Sequence, residues 1–128
     1  MAPTAEIFSY VPDRDYMGLL EGGHPKSKAV LSFFEFEKKD IASATSVPVA
    51  SVRYDERMPE PVRQRMTEWV TLVNLVAQFF QGDAQKTELW FRLPNPILGN
   101  VSPRDMIRFG RYESLRDFIY TSLAENKA

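Results

Sequence analysis

Chemistry in a protein needs groups that converge on one point, and this chain offers few of the usual ones. It has no cysteine and a single histidine. Thiol catalysis, disulfides, Cys-based zinc sites and a histidine metal cluster are therefore excluded. His24 sits in the turn Gly22-Gly23-His24-Pro25, where it reads as a surface or capping residue rather than a base. Asp13, Asp15 and the scattered glutamates read as solvated charges, with no pair at acid/base spacing. No catalytic residue, cofactor or metal ion is expected. What the sequence does supply is cations suited to binding. Lys38, Lys39 and Arg53 fall in one segment. Arg104, Arg108, Arg111, Arg116 and Lys127 fall in another, which ends on the carboxylate of Ala128. Net charge is -1, so contact with a polyanion would have to come from a local patch rather than a global field.

The elements that must position these groups read as helices. At 128 residues, 44% hydrophobic and 12% aromatic, the chain is the size of one domain, or of two small helical subdomains sharing a core. Residues 1–23 mix proline, glycine and aromatics and read as a weakly ordered arm, with a short helix possible in DRDYMGLLEG. KSKAVLSFFEF places Ala29, Val30 and Phe33 at helical spacing, and EKKDIASAT does the same with Ile41, Ala42 and Thr45. VASVRYDE gives a third short helical segment. The longest helix lies in PEPVRQRMTEWVTLVNLVAQFFQG, with Val62, Met66, Trp69, Val70, Val73, Val76, Ala77 and Phe80 at steps of three and four. Pro59 and Pro61 suit its first turn and Gly82 its end. Asp83 reads as the N-cap of AQKTELWFRL, and Ser102-Pro103 as the cap and first residue of RDMIRFG, which Gly110 closes. The final helix, YESLRDFIYTSLAEN, turns Leu115, Phe118, Ile119 and Leu123 inward. No convincing strand appears, so the fold class is all-α. The expected division is an arm over 1–23, a helix-turn-helix-like unit with the long connecting helix over 24–81, and a second helical unit over 82–128. No apolar run reaches membrane-spanning length, and the default location is the cytoplasm.

KKDIASATSVPVASVRYDE fits a helix-turn-helix. Ala42 is the small residue where two helices would cross, Ser46 stands in the turn where glycine is usual, and Val47 and Val52 are the core anchors. Serine serves there only if the backbone avoids the left-handed region. The recognition helix would run from Pro48 to Glu56, presenting Ala50, Ser51, Arg53 and Tyr54 to a major groove, with Lys38 and Lys39 on phosphates. Asp55 and Glu56 would repel that backbone. A plain three-helix packing unit is the alternative.

The stretch from Leu89 to Arg111, LWFRLPNPILGNVSPRDMIRFGR, carries a stiff corner between helices. Pro94 fixes its own φ and pushes Leu93 out of helical geometry, ending the helix that holds Trp90. Asn95 precedes Pro96 and is suited to bond nearby backbone, and Gly99 supplies conformational freedom. Leu98 and Trp90 would clamp the corner onto the core. On this reading Trp90, Pro94, Asn95, Pro96, Leu98 and Gly99 build the corner, and the surfaces it positions are PRDMIRFG and the last helix with its tail.

The same stretch resembles the C-terminal domain of the Xre/MbcA/ParS antitoxins. That family shows a Trp-Leu-x-x-Pro-Asn-x-x-Leu-Gly-like motif, then a proline, an apolar helix and a glycine. Leu89 to Asn100, Ser102-Pro103, Met106-Ile107 and Gly110-Arg111 match it, and LLEGGHPKSKAVLSFF, FEKKDIASATSVPVASV and MPEPVRQRM follow the family's N-terminal layout. The resemblance implies an antitoxin that binds a RES-domain toxin, an NAD-consuming or ADP-ribosylating enzyme, and covers its NAD pocket. It also implies a homodimer and, as in several members, repression of the chain's own operon through operator DNA. On that basis Arg104, Arg108, Arg111, Arg116, Lys127 and Ala128 become the toxin-facing candidates, although a frayed, solvated tail is the ordinary fate of a chain end. Trp69 and Phe79-Phe80 are candidates for the dimer seam or, equally, for an intramolecular core. A free-standing DNA-binding regulator that keeps the domain for dimerisation is the second reading.

Overall fold

The computed structural model describes residues 14–127, with side chains described through residue 125. Over that span the all-α expectation holds, with six α-helices and one small hairpin. Strands β1 (Leu20–Glu21) and β2 (His24–Pro25) pair antiparallel, Leu20 opposite Pro25 and Glu21 opposite His24. Gly22 and Gly23 join them with φ of 58° and 81°, the pair of positive angles that a tight two-residue hairpin turn needs. The short helix expected in DRDYMGLLEG does not form. The Asp15 carboxylate instead accepts the N–H groups of Leu19 and Leu20 at 3.0 and 2.9 Å, and such local bonds compete directly with a helix. Residues 14–23 are also tied down rather than loose. Buried Asn74 accepts from the Tyr16 N–H at 2.9 Å and donates to Asp15 at 3.2 Å. The rest of the expected arm, residues 1–13, lies outside the described residues.

Helix α1 (Ser27–Phe34) buries Val30, Phe33 and Phe34 and stops where Glu35 turns left-handed, φ 57°. Helix α2 (Lys38–Thr45) starts on a reciprocal cap: the Glu37 side chain accepts from the Asp40 N–H, and the Asp40 carboxylate from the Glu37 N–H. Two orphan donors of the first turn are satisfied in this way. Helix α3 (Glu60–Phe79) has 20 residues, roughly 30 Å of rod. Its buried positions include the unbroken run Leu72 to Ala77, too wide for one stripe, so the helix is covered on several sides. Gln81 and Gly82, φ 58° and 82°, end it. Helix α4 (Ala84–Arg92) is capped by Asp83, which accepts from the Lys86 N–H at 3.0 Å. Helix α5 (Pro103–Arg108) is capped by Ser102, which accepts from the Asp105 N–H at 3.1 Å. Helix α6 spans Tyr112–Lys127. Both caps were legible in the sequence.

One hydrophobic cluster runs through the whole described chain, so the units expected at 24–81 and 82–128 share their interior. Its centre is aromatic. Phe34 meets Phe33, Phe36, Trp69 and Phe91 at ring-centroid distances of 5.0 to 6.1 Å, joining α1, α3 and α4. Trp69, one of the residues suggested for a dimer seam, is 1% exposed and belongs to this core. Leu115 and Ile119 of α6 and Met106 and Ile107 of α5 close the same cluster from the other end.

Candidate interaction surfaces

The proline corner closes on itself through Asn95. Leu93, held before Pro94, is extended with φ -86° and ψ 142°, so α4 stops there. The Asn95 side chain accepts from the Ile97 N–H at 3.0 Å, and its carbonyl accepts from Leu98 and Asn100, each at 2.9 Å. Its own N–H donates to the Val101 carbonyl at 3.2 Å. Gly99, φ 74°, and Asn100, φ 64°, complete the reversal. Trp90 and Leu98 are half-buried against the core, while Pro94, Pro96 and Gly99 face solvent. Closed on Asn95, the corner presents apolar side chains outward. Leu89, Leu93 and Ile97 are 53, 55 and 78% exposed. These three were not singled out from the sequence. The signal was there in the i, i+4 spacing of Leu89 and Leu93, on a face of α4 different from that of buried Phe91.

The arginines expected to face a partner are largely engaged in holding the fold. The Arg104 guanidinium donates to the carbonyls of Phe34 and Glu35, the second at 3.0 Å, and lies over the Phe36 ring at 5.4 Å. Arg92, not foreseen, donates to the Phe33 carbonyl at 3.0 Å and approaches the Glu35 carboxylate at 3.8 Å. Together they cover the C-terminal end of α1, where carbonyls lack helical partners and the dipole is negative. Arg108 bonds Asp105 at 3.0 Å and reaches Asp40 of α2 at 4.0 Å. Arg116 pairs with Asp117 at 3.1 Å and lies over Tyr112 at 5.8 Å. Arg65 bridges Glu68 and Glu113 at 3.0 and 3.1 Å, binding α3 to the start of α6. Burial raises the Tyr112 phenol's pKa, and Glu113 is held low by its backbone and by Arg65. Arg111 is exposed. The Lys127 side chain and Ala128 lie outside the described residues. Arg104 and Arg108 thus make internal contacts while remaining 24 and 35% exposed at their side chains, because charged groups aimed at helix ends and carboxylates are stabilised there.

Beside the corner, the end of α3, Trp90 of α4 and the inner face of α6 enclose an apolar groove of about 200 Å³. Val76, Phe79, Phe80, Phe118 and Leu123 form most of its wall. Phe79 is 53% exposed at the rim and meets Phe80 edge-on at 5.3 Å.

The helix-turn-helix region departs from expectation. Val52 is buried and Val47 packs on the core, as the anchors should. Ser46, however, takes φ 59°, the left-handed backbone in which glycine is least strained. The recognition helix expected from Pro48 to Glu56 is absent; only Val49–Ser51 form one 3-10 turn. Two local causes oppose it. Asp55 accepts the Arg57 N–H at 2.9 Å and pairs with Arg53 at 2.7 Å, a turn that an aspartate favours. Buried Val52 is extended, with φ -73° and ψ 117°. Ala50, Ser51 and Arg53 are exposed, but not on a helix face. Tyr54 is half-buried with its hydroxyl enclosed and unbonded, so that oxygen is not presented to a ligand, and burial raises its pKa. Lys38 and Lys39 are exposed, Lys39 lying 3.6 Å from Glu37.

Among the described residues no helix is long and apolar enough to cross a membrane. Comparison with family models, with curated proteins and with solved structures finds no match to this chain.

Proposed function

We propose that this chain is a non-catalytic antitoxin, binding a RES-domain toxin and covering its NAD pocket. The observation that supports it best is the corner itself: a proline-flanked loop that Asn95 closes with four hydrogen bonds and that displays Leu89, Leu93 and Ile97. Exposed apolar side chains on a stiff support lose little entropy on docking, which is what a tight protein contact requires. The mechanism is occlusion. No group of this chain enters the chemistry, and inhibition follows from the apolar ridge and Arg111 excluding NAD from the partner's site. The resemblance names the partner; the ridge supplies a surface suited to it. A free-standing DNA-binding regulator gains no support from the region Pro48 to Glu56, which lacks a helix to place in a groove.

The test is co-expression with the neighbouring open reading frame. Alone, that frame should arrest growth and deplete NAD, and this chain should restore both. Leu93→Asp combined with Ile97→Asp should fold normally yet lose rescue and bind the toxin at least tenfold more weakly. Equal rescue by the double variant would remove the ridge from the interface. A harmless neighbour, or one that the native chain fails to neutralise, would sink the antitoxin reading.

A further inference from the structure

Helix α4 carries two features that fit one another. Trp90 walls the apolar groove, and at about 100° per residue Leu93 lies between Trp90 and Leu89 around the helix axis. Ridge and groove therefore adjoin on one face. Leu89, Leu93 and, at the groove's rim, Phe79 are each more than half exposed, a cluster of the kind that monomers rarely leave uncovered. One charge accompanies each feature. Lys86 stands two turns before Leu93 on the ridge's side of α4, and Glu125 two turns after Phe118 on the groove's side of α6. Both are exposed, and neither makes an ion pair among the described residues. Each separation is seven residues, or roughly 10.5 Å of helix. The apolar-to-cation span of α4 thus matches the apolar-to-anion span of α6.

We propose that a second copy of this chain occupies the groove, in a two-fold pair in which α4 of each copy lies antiparallel along α6 of the other. Leu93 then enters beside Phe118 while Lys86 meets Glu125. A face that bears both ridge and groove is complementary to itself, so the two-fold operation uses each feature twice and closes. A small molecule fits less well. Drug-sized ligands take pockets of roughly 300–1,000 Å³, whereas this one holds about 200 Å³, the room for one or two side chains. The pair also buries the ridge. One consequence rests on the antitoxin reading: the same ridge cannot cover a partner copy's groove and a toxin at once, so the free chain is stored as pairs and the toxin draws on single copies.

The native chain supplies the test. Sedimentation over a micromolar concentration series should move from the mass of one chain to that of two. Carbodiimide, which joins an amine to a touching carboxylate, should link Lys86 to Glu125. In a mixture of light and heavy isotope-labelled chains that link should join light peptides to heavy ones. Phe79→Asp, at the exposed rim, should weaken the pair roughly tenfold or more with an unchanged circular dichroism spectrum, and should keep growth rescue in the co-expression assay. Lys86→Glu should weaken the pair, and adding Glu125→Lys should restore it. The proposal is overturned by a single-chain mass at every concentration, by links that map elsewhere or stay within one chain, by a pair that Phe79→Asp leaves intact, or by a charge swap that fails to restore it. Mass and linkage are read without any toxin, so their failure leaves the antitoxin reading standing, and failed rescue by the native chain leaves the pair standing.

Discussion

Two irregular segments, Ser46 to Pro59 and Leu93 to Ser102, make an instructive pair. Each links helices and each contains prolines; the first was expected to read DNA, the second to position the surfaces beside it. The corner took the form its residues implied, since Pro94 stops α4, Asn95 gathers three N–H donors and glycine stands at the left-handed position. In the earlier segment the two valine anchors are in place but the helix expected from Pro48 to Glu56 is missing. Apolar anchors fix where a chain is pinned; local hydrogen bonds decide what it does around the pins. Asp55 takes the N–H of Arg57, and a serine occupies the left-handed turn.

The largest effect should come from the core that both segments rest on. Phe34→Ala should cost about 3–5 kcal/mol. It should also lower a single cooperative urea transition rather than one of two, because Phe34 meets residues of α3 and α4 together. Two separate transitions would show that the corner's support and the earlier segment fold independently.

Next comes the clamp between the corner's flank and α1. Arg104→Ala removes hydrogen bonds from a charged donor to the Phe34 and Glu35 carbonyls. The cost should be about 1.5–3 kcal/mol, and Arg104→Lys should recover only part of it, lacking the planar fork. A loss within experimental error for Arg104→Ala would mean the guanidinium is held there without contributing.

A mirror pair of substitutions then sharpens the comparison itself. Gly99→Ala, at φ 74° with open space around the Cβ position, should cost about 1 kcal/mol through backbone strain alone. Ser46→Gly, at φ 59°, should gain about 0.5–1 kcal/mol as relief of strain outweighs glycine's extra entropy. Chemical denaturation of both, with unchanged m-values, measures the pair. Opposite signs are required; the same sign in both would contradict the assignment of strain to these two turns.

The smallest effect is in acid. Burial pushes the Asp15 carboxyl up, but the N–H groups of Leu20 and Leu19 and the Asn74 amide outweigh it and hold the pKa below the ordinary 3.8. A depressed folded value means the contribution is complete above the unfolded pKa and is lost as pH falls through the folded one. Stability should therefore decline below about pH 4, and Asp15→Asn should flatten that part of the curve. An unchanged acid limb in the variant would remove Asp15 from the account.

The helices, their caps and the corner were readable because each rests on neighbours in sequence: Asp83 on Lys86, Ser102 on Asp105, Asn95 on Ile97. The internal contacts of the arginines were not. Arg104 and Phe34 stand 70 residues apart, and nothing local distinguishes a guanidinium that covers a distant helix end from one that waits for a partner. The hairpin and the Asp15–Asn74 lock were missed for the same reason, since the glycine pair read as looseness and the bond that tightens it spans 59 residues. The candidate surface was half legible. Its support was visible, and its exposed leucines and isoleucine were not singled out.

The breadth of burial around α3 also bears on how the chain is made. Trp69 is synthesised fifty residues before Ile119, and both belong to the same cluster. At roughly 5–20 residues per second of translation, some 2.5–10 seconds pass before the last helix arrives. Phe33, Phe34 and Trp69 therefore emerge from the ribosome before the residues that complete their cover. The nascent chain is a client for whatever shields apolar surface in the cell, and codons slowing synthesis between residues 80 and 115 would lengthen that exposure.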